Sequence, residues 1–367
     1  MSEQMNEIRQ KQNAIQALLE QHGLDALLLQ RVSSFAWATC GAASYVNTAS
    51  SEGTAALLFA PSGLHLVTNN IEATRLEAEE KLKEQGWKFH VSPWYGGQDS
   101  LTGLTKGLRI GSDTAYPGAV NLSGEVARLR ARLTVEEGER FRNVGQLCAE
   151  TMESAIRAVH PGQTEHEIAA LLAREAERRG LQAPVNLIAT DERIFAFRHP
   201  LPTGKKLDRY AMLVLCGRRG GLVGSITRLV HFGHLPDELR RKEEAVARVD
   251  ATFIAATRPG RPLNAILQAA VDAYTQAGFA DEWQLHHQGG PAAYEPREYI
   301  ATPKTEDLVF SGQAYAWNPS ITGTKSEDTF LVGETQNDII TAIQGWPTLE
   351  IEIGGVPYAR PRILEVV

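Results

Sequence analysis

The chain is poor in cysteine, has no basic tract and no long apolar run, and each shortage removes a class of function. Its three cysteines, Cys40, Cys148 and Cys216, are isolated and odd in number. None sits in CxxC spacing, so a zinc finger or a disulfide frame is excluded and the thiols read as reduced, in a cytoplasmic protein. Lys and Arg number 37 against 44 Asp and Glu, a formal net charge of -7. With no dense Lys/Arg stretch to meet phosphates, nucleic acid is not an expected partner. No apolar run approaches the roughly 20 residues that cross a bilayer, so no membrane partner is expected either. Residues 1 to 12 are polar and charged, without the apolar segment of a secretory signal. At 367 residues the chain has room for two domains, each with a normal core.

What the chain does have is polar chemistry concentrated in a few places. Positions 285 to 298, Leu-His-His-Gln-Gly-Gly-Pro-Ala-Ala-Tyr-Glu-Pro-Arg-Glu, hold two histidines, two glycines, a tyrosine, two glutamates and an arginine. That density is costly in a core and unnecessary on a surface; it suits a site where protons move or an ion is held. A polar loop around His286 and His287 is the plainer alternative. Two more clusters downstream, Trp317-Asn318-Pro319 and Lys325-Ser326-Glu327-Asp328-Thr329, weigh against it.

The first third of the chain reads as an α/β domain ending near Arg132. Asp25 to Leu29, Ala55 to Phe59 and Leu108 to Gly111 are buried-strand candidates, with Leu64 to Thr68 the hairpin partner of the second. Ile71 to Gln85 has the charge spacing of an exposed helix. The second part opens on a capping box, Thr134 with Glu137, followed by Phe141, Val144, Cys148, Met152 and Ala155 at helical spacing. A second box, Thr164 with Glu167, starts a helix that Gly180 ends. Ala211 to Leu215 and Gly221 to Val230 then read as a strand pair. The pattern repeats: helices on Val246, Val249, Phe253 and Ala256 and on Leu263, Ile266, Leu267, Ala270, Val271 and Tyr274, a stop at Gly278, and strands at Gln313 to Trp317 and Asp328 to Val332. His160-Pro161-Gly162 and Arg258-Pro259-Gly260 lie 98 residues apart, as do Gly180 and Gly278. With an offset of 102, Cys216 falls on Asn318 and Ser225 on Glu327. An internal duplication predicts a pseudo-twofold α+β domain, one curved sheet under four helices, with a ligand site between the halves. Leu349 to Ile353 alternates apolar and polar, which predicts a further strand pair near the end.

On these motifs the chain resembles the creatinase/aminopeptidase P (M24) family, with the pita-bread fold shared with methionine aminopeptidase and prolidase. The resemblance covers nearly the whole chain. It implies an N-terminal creatinase-type α/β domain over residues 1–132 and a pita-bread α+β catalytic domain over 133–367. It also implies a homodimer. The family's metallopeptidases hold their ions with two Asp, one His and two Glu. Carried over one by one, the substrate-facing His matches His199 in Phe197-Arg-His-Pro200. The ligand His matches His287, and the final Glu of a Glu-Asp-Thr run matches Glu327. The two Asp positions fall on Cys216 and on Ser225, ahead of Ile226-Thr227-Arg228. The first Glu falls on Asn318 before Pro319, and a further His position on Tyr294. Three of the expected carboxylates are therefore missing, and a bridged pair of Mn, Co or Zn ions lacks the anionic oxygens it needs.

The expectation is accordingly a metal-independent, creatinase-like hydrolase of a C–N bond in a small amidino, amide or amino-acid-derived substrate. His199 would shuttle the proton, while His287 and Glu327 position water and substrate. Arg228 or Arg297 would anchor an anionic end through the guanidinium fork; Arg228 has the alternative of pairing with a buried carboxylate. Tyr294 and Trp317 shape the pocket or pack beneath it. Asn318, Cys216 and Ser225 line it, and Cys216 is either a nucleophile or a small core residue. One alternative is an Xaa-Pro-peptidase-like metallohydrolase with a single zinc or manganese on Cys216, His287 and Glu327. The other is a pita-bread protein that binds a ligand without turnover.

Overall fold

The computed structural model describes residues 2–96 and 99–367. The chain divides into two compact units, Met1–Glu137 with Gly220–Leu222, and Gly138–Arg219 with Val223–Val367.

The first unit is built on a six-stranded sheet. Its strands are β1 (Ala26–Arg31), β2 (Glu52–Ala60), β3 (Gly63–Asn69), β4 (Lys88–Ser92), β5 (Ile110–Ser112) and β6 (Val120–Asn121), in the order β4-β3-β2-β1-β5-β6. β2 and β3 form the expected hairpin, and β1 runs antiparallel to β2 and parallel to β5. Leu27, Leu28, Leu29, Leu57 and Leu58 are fully buried. This is why those segments read as continuous apolar runs rather than alternating ones. Helices α1 (Ser2–His22), α2 (Val32–Ala38), α3 (Ala73–Ala78), α4 (Asp99–Thr105) and α5 (Ser123–Arg130) complete the unit. The helix expected over Ile71 to Gln85 stops at Ala78. The chain turns at Lys81, φ 53°, and buries Leu82 and Trp87. Sinking those two apolar side chains outweighs the small gain from extending a charged helix.

The boundary between the units falls within the first turn of α6 (Val135–Arg157), a turn closed by the Thr134–Glu137 capping box. α7 (Glu165–Glu177) has the same device in Thr164 and Glu167. Each such cap is worth about 1 kcal/mol. Then come β7 (Gln182–Thr190), α8 (Glu192–Ala196), β8 (Tyr210–Arg219) and β9 (Leu222–Phe232). The second half repeats the scheme with α9 (Asp237–Ala256), α10 (Leu263–Gln276), a 3-10 turn at Glu282–Leu285, β10 (Gly289–Ala292) and β11 (Ala314–Trp317). It goes on through β12 (Ser320–Ile321), β13 (Thr324–Lys325), β14 (Asp328–Leu331) and β15 (Asp338–Ile339). The last elements are β16 (Thr348–Ile353), β17 (Val356–Pro361) and β18 (Leu364–Val366). Among the described residues no helix is long and apolar enough to cross a membrane.

The duplication is visible in the hydrogen bonds. Gly162 N donates to Leu207 O and Gly260 N to Val309 O, both at 2.8 Å. Glu165 N donates to Lys205 O and Leu263 N to Asp307 O; His166 N to Thr203 O and Asn264 N to Thr305 O. The donors differ by 98 and the acceptors by 102, the two offsets read from the sequence. The halves place their strands in two four-stranded sheets, β18-β9-β8-β7 and β10-β11-β14-β15. An antiparallel bridge between Thr227 and Glu327 connects β9 to the start of β14. The expected strand pair near the end is the β16–β17 hairpin, and β18 adds to β9 in parallel.

Candidate active site

Two clusters meet where the halves of the second unit join. The first is a group of imidazoles. His199 follows α8, and His286 and His287 follow the 3-10 turn. The loops are tied together by Arg198 Nη2, which donates to Glu282 Oε2 at 2.5 Å and to Thr322 Oγ1 at 3.0 Å. His286 Nε2 lies 3.0 Å from His199 Nε2, so one ring donates and the other accepts. His286 Nδ1 lies 3.3 Å from Ser320 Oγ, and Asn318 Nδ2 is 3.5 Å from His286 Nε2. One nitrogen from each of the three rings can be chosen so that all lie within 4.8 Å of one another. Among the described residues this is the one His/Cys/Asp/Glu group compact enough to hold a metal ion.

The sequence pointed to His287; the structure buries His286 and leaves His199 and His287 exposed. His286 is thus the residue in contact with both His199 and Asn318, and the reading by family position missed it. The cause lies just downstream. Gly289 and Gly290 have φ of 104° and 159°, and a Cβ on Gly289 would stand 2.2 Å from Ala316 O. The bent backbone entering β10 leaves ordinary strand alternation no authority over which neighbouring histidine turns inward.

The second cluster surrounds Glu327, which is 2% exposed. Arg297 Nη2 meets Glu327 Oε1 at 2.8 Å, and Lys325 Nζ meets Oε2 at 2.7 Å. Thr227 Oγ1 donates to Oε2 at 2.5 Å. Burial works to raise the Glu327 carboxyl, but the Lys325 and Arg297 charges and these hydrogen bonds outweigh it and hold the group far below the usual carboxylate range. Arg297 Nη1 also donates to Ser225 Oγ at 3.1 Å, and Ser225 Oγ lies 3.3 Å from Cys216 Sγ. Two buried atoms here have no partner within the protein: Arg297 Nε, a donor, and Asn318 Oδ1, an acceptor. An ideal Cβ on Gly289 would lie 3.1 Å from each, so both face bare backbone.

The surroundings of these residues bear on the alternatives that the sequence leaves open. Burial pushes the Cys216 thiol up to about 11, with the Glu327 charge adding to it. A thiol raised so far is a poor nucleophile at neutral pH. Cys216, His287 and Glu327 do not form a compact ligand group, and both Glu327 oxygens are already paired. Trp317 is fully buried, stacks on Phe253 at 4.5 Å between centroids, and donates from Nε1 to Thr257 Oγ1; it belongs to the core and not to a pocket wall. Arg228 faces away from the site and pairs with Asp328 at 2.8 Å, the structural alternative allowed for it. Tyr294 is also buried, at 2% exposed.

The imidazoles are held neutral. Desolvation, helped by the Lys325 charge, pushes His286 down to about 2; desolvation, helped by Arg297, pushes His287 down to about 4. His199 is lowered for the same reasons, burial first and Lys325 second. The unfolded chain takes up these protons near the ordinary value of 6.5, and the folded chain resists them. The unfolded state therefore binds more protons below that pH, so folding stability falls as pH drops from about 6.5 toward 4. Thermal melting at stepped pH should show this loss, and His286→Gln should flatten it. A wild-type melting temperature constant from pH 6.5 to 5 would rule the neutral assignment out.

The family model for metallopeptidase family M24 matches residues 139–334, more than half of the chain. An uncharacterized peptidase of Staphylococcus haemolyticus is 25% identical over 229 residues, 59% of this chain and 64% of that protein. A Xaa-Pro dipeptidase of Pyrococcus furiosus is 25% identical over 217 residues, 56% of this chain and 62% of that protein. The match thus spans less than two thirds of these curated relatives. Among solved structures, a Xaa-Pro dipeptidase from Bacillus anthracis superposes with a TM-score of 0.79 at 16% identity, covering 98% of this chain and all of that one. The prolidase from Pyrococcus horikoshii gives 0.77 at 16% identity, over 91% of this chain and 99% of that one. These likenesses show the pita-bread fold, and with the family match they place the protein: the chain belongs to metallopeptidase family M24.

Proposed function

We propose that the chain hydrolyses an amide-type C–N bond in a small polar substrate, using its histidines and two fixed side-chain cations. The observation that carries this is the exposed His199 ring held 3.0 Å from the buried His286 and within the field of Lys325 and Glu327. The Lys325 and Arg297 charges favour the oxyanion that forms when water adds to the carbonyl carbon. His199, exposed and neutral, takes a proton from that water and returns it to the departing nitrogen as the C–N bond breaks. His286 fixes the His199 tautomer through the Nε2–Nε2 contact. Glu327 keeps the two cations in place, and His287 borders the same space.

The family's pair of metal ions does not suit these residues. At the positions that the resemblance assigns to carboxylate ligands stand Cys216, Ser225 and Asn318, and Glu327 has both oxygens engaged by Arg297 and Lys325. Two side-chain cations thus sit on the carboxylate where bridged metals would need it. A second reading rests on the imidazole group: one transition-metal ion on His199, His286 and His287, in an Xaa-Pro-peptidase-like enzyme. The nearby Lys325 and Arg297 charges oppose it.

The test combines metal analysis with turnover. Untagged protein, as purified and after chelation, is assayed on simple amides, N-acyl amino acids, amidino compounds and Xaa-Pro dipeptides. Turnover that survives chelation, with metal well below stoichiometric, is the expected result. A stoichiometric ion whose removal abolishes turnover replaces it with the single-metal reading. Ligand binding without turnover on any member sinks both.

A further inference from the structure

His199 and His286 come from opposite halves of the duplication, so the 3.0 Å between their Nε2 atoms is set by two loops that must meet. His199 lies in the irregular stretch between α8 and β8, and His286 directly follows the 3-10 turn. One neutral hydrogen bond between rings is a weak net gain against the entropy of ordering both segments. Something else has to bring them into register.

The base of the His199 loop is pinned within its own half. The Asp191 carboxylate accepts from the backbone N–H groups of Asp208, Arg209 and Tyr210, each at 2.9 Å. Glu165, fully buried, accepts from Thr190 N and Thr203 N, both at 2.9 Å. Those contacts close the loop; none of them reaches the second half. The residue beside His199 does. Arg198 Nη2 donates to Glu282 Oε2 and to Thr322 Oγ1, and the same carboxylate oxygen accepts from Thr322 N at 2.9 Å and Thr322 Oγ1 at 3.0 Å. The three side chains form a closed ring of hydrogen bonds, with those of Arg198 and Glu282 each 18% exposed.

Thr322 connects this ring to the rest of the site. It stands at the turn of the hairpin made by β12 and β13. One strand of that hairpin brings Ser320 Oγ to 3.3 Å from His286 Nδ1, and the other brings Lys325 Nζ to 2.7 Å from Glu327 Oε2. Lys242 Nζ donates to Thr322 O at 3.1 Å and Tyr210 Oη to Gly323 O at 3.0 Å, so α9 and β8 hold the turn as well. The hairpin thus supports the imidazoles and the carboxylate cluster together, and Arg198 is the side chain that fixes the neighbouring His199 to it.

We propose that Arg198 and Glu282 are positioning residues of the reaction: they hold the His199 ring against His286, so that Nε2 stays engaged and Nδ1 is the nitrogen left to meet the substrate. This rests on the histidine chemistry proposed above, but the state of the ring can be read without turnover.

Arg198→Gln, Glu282→Gln and the exchanged pair Arg198→Glu with Glu282→Arg test it in the full chain. The readouts are amide turnover, thermal melting and the nitrogen NMR signals of the His199 ring, assigned by their loss in His199→Ala. Each single variant is expected to lower kcat at least about tenfold with KM within about twofold, the split of a group that orients rather than binds. The His199 ring should pass from one tautomer to a mixture, while a partly exposed ion pair leaves the melting temperature nearly unchanged. The exchanged pair should recover part of the lost kcat and the single tautomer. His199 signals unchanged in both single variants would overturn the proposal, whatever the activity. So would wild-type kcat in a variant whose tautomers are mixed. If the wild type turns over no amide, the reaction reading falls, and the His199 signals still decide whether the pair positions the ring.

Discussion

Glutamine in place of Glu327 is expected to cost the fold about 3–5 kcal/mol. The carboxylate is buried between Arg297 and Lys325, whose side chains are 7% and 5% exposed. Removing its charge while keeping its shape leaves two desolvated cations side by side, each without its counter-charge. Their attraction to Glu327 repays their burial, and a neutral amide cannot. In a unit of this size the melting temperature should fall on the order of 10 °C. Turnover should vanish with it, since the proposed oxyanion site depends on both cations holding position. A second substitution, Lys325→Met, should restore part of the lost stability while leaving activity absent. That separates the charge argument from simple loss of packing. A Glu327→Gln protein melting within a degree or two of wild type would show that the cations have another partner, and the electrostatic account would have to go.

His199→Ala tests the chemistry with little cost to the fold. The ring is exposed and hydrogen-bonds to His286. Its loss should lower kcat by about 10²–10⁴, the range for a proton-transfer group, with KM and melting temperature nearly unchanged. His286→Gln should fall between these cases, because it loosens the His199 tautomer and leaves Ser320 Oγ a different partner. Full turnover by His199→Ala would remove the histidine from the mechanism. A change confined to KM would make it a binding residue.

Much of this was legible because it rests on local rules. The two capping boxes, the apolar faces of α6, α7, α9 and α10, and the 98- and 102-residue offsets are sequence regularities that the backbone obeys. The structure repays them in matched hydrogen bonds across the duplication. What escaped is what depends on contacts between distant segments. Lys325 and Glu327, two apart on the chain, resemble a solvated strand pair until Arg297 and Thr227 close over them. Trp317, beside Asn318, reads as a pocket residue until α9 places Phe253 and Thr257 against it. His286 and His287 are neighbours whose roles are set by a backbone bend that no periodicity describes. The α3 segment failed for a similar reason: its charge pattern is helical, while Leu82 and Trp87 require the chain to turn back.

The Arg360 network has a consequence for where this protein begins and ends as a folding unit. The M24 match stops at residue 334. Beyond it, Arg360 on β17 supplies the guanidinium that neutralises Asp250 on α9 and Asp328 on β14, and β18 covers an edge of β9. Glu365 caps Leu235 N and pairs with Arg240. A chain cut at the similarity boundary would strand the Asp250 carboxylate in the interior, leave Asp328 to Arg228 alone and open a strand to strangers. Shared ancestry and autonomous folding draw different borders here, and the last thirty-odd residues, outside the family's signature, act as the keystone of the part inside it.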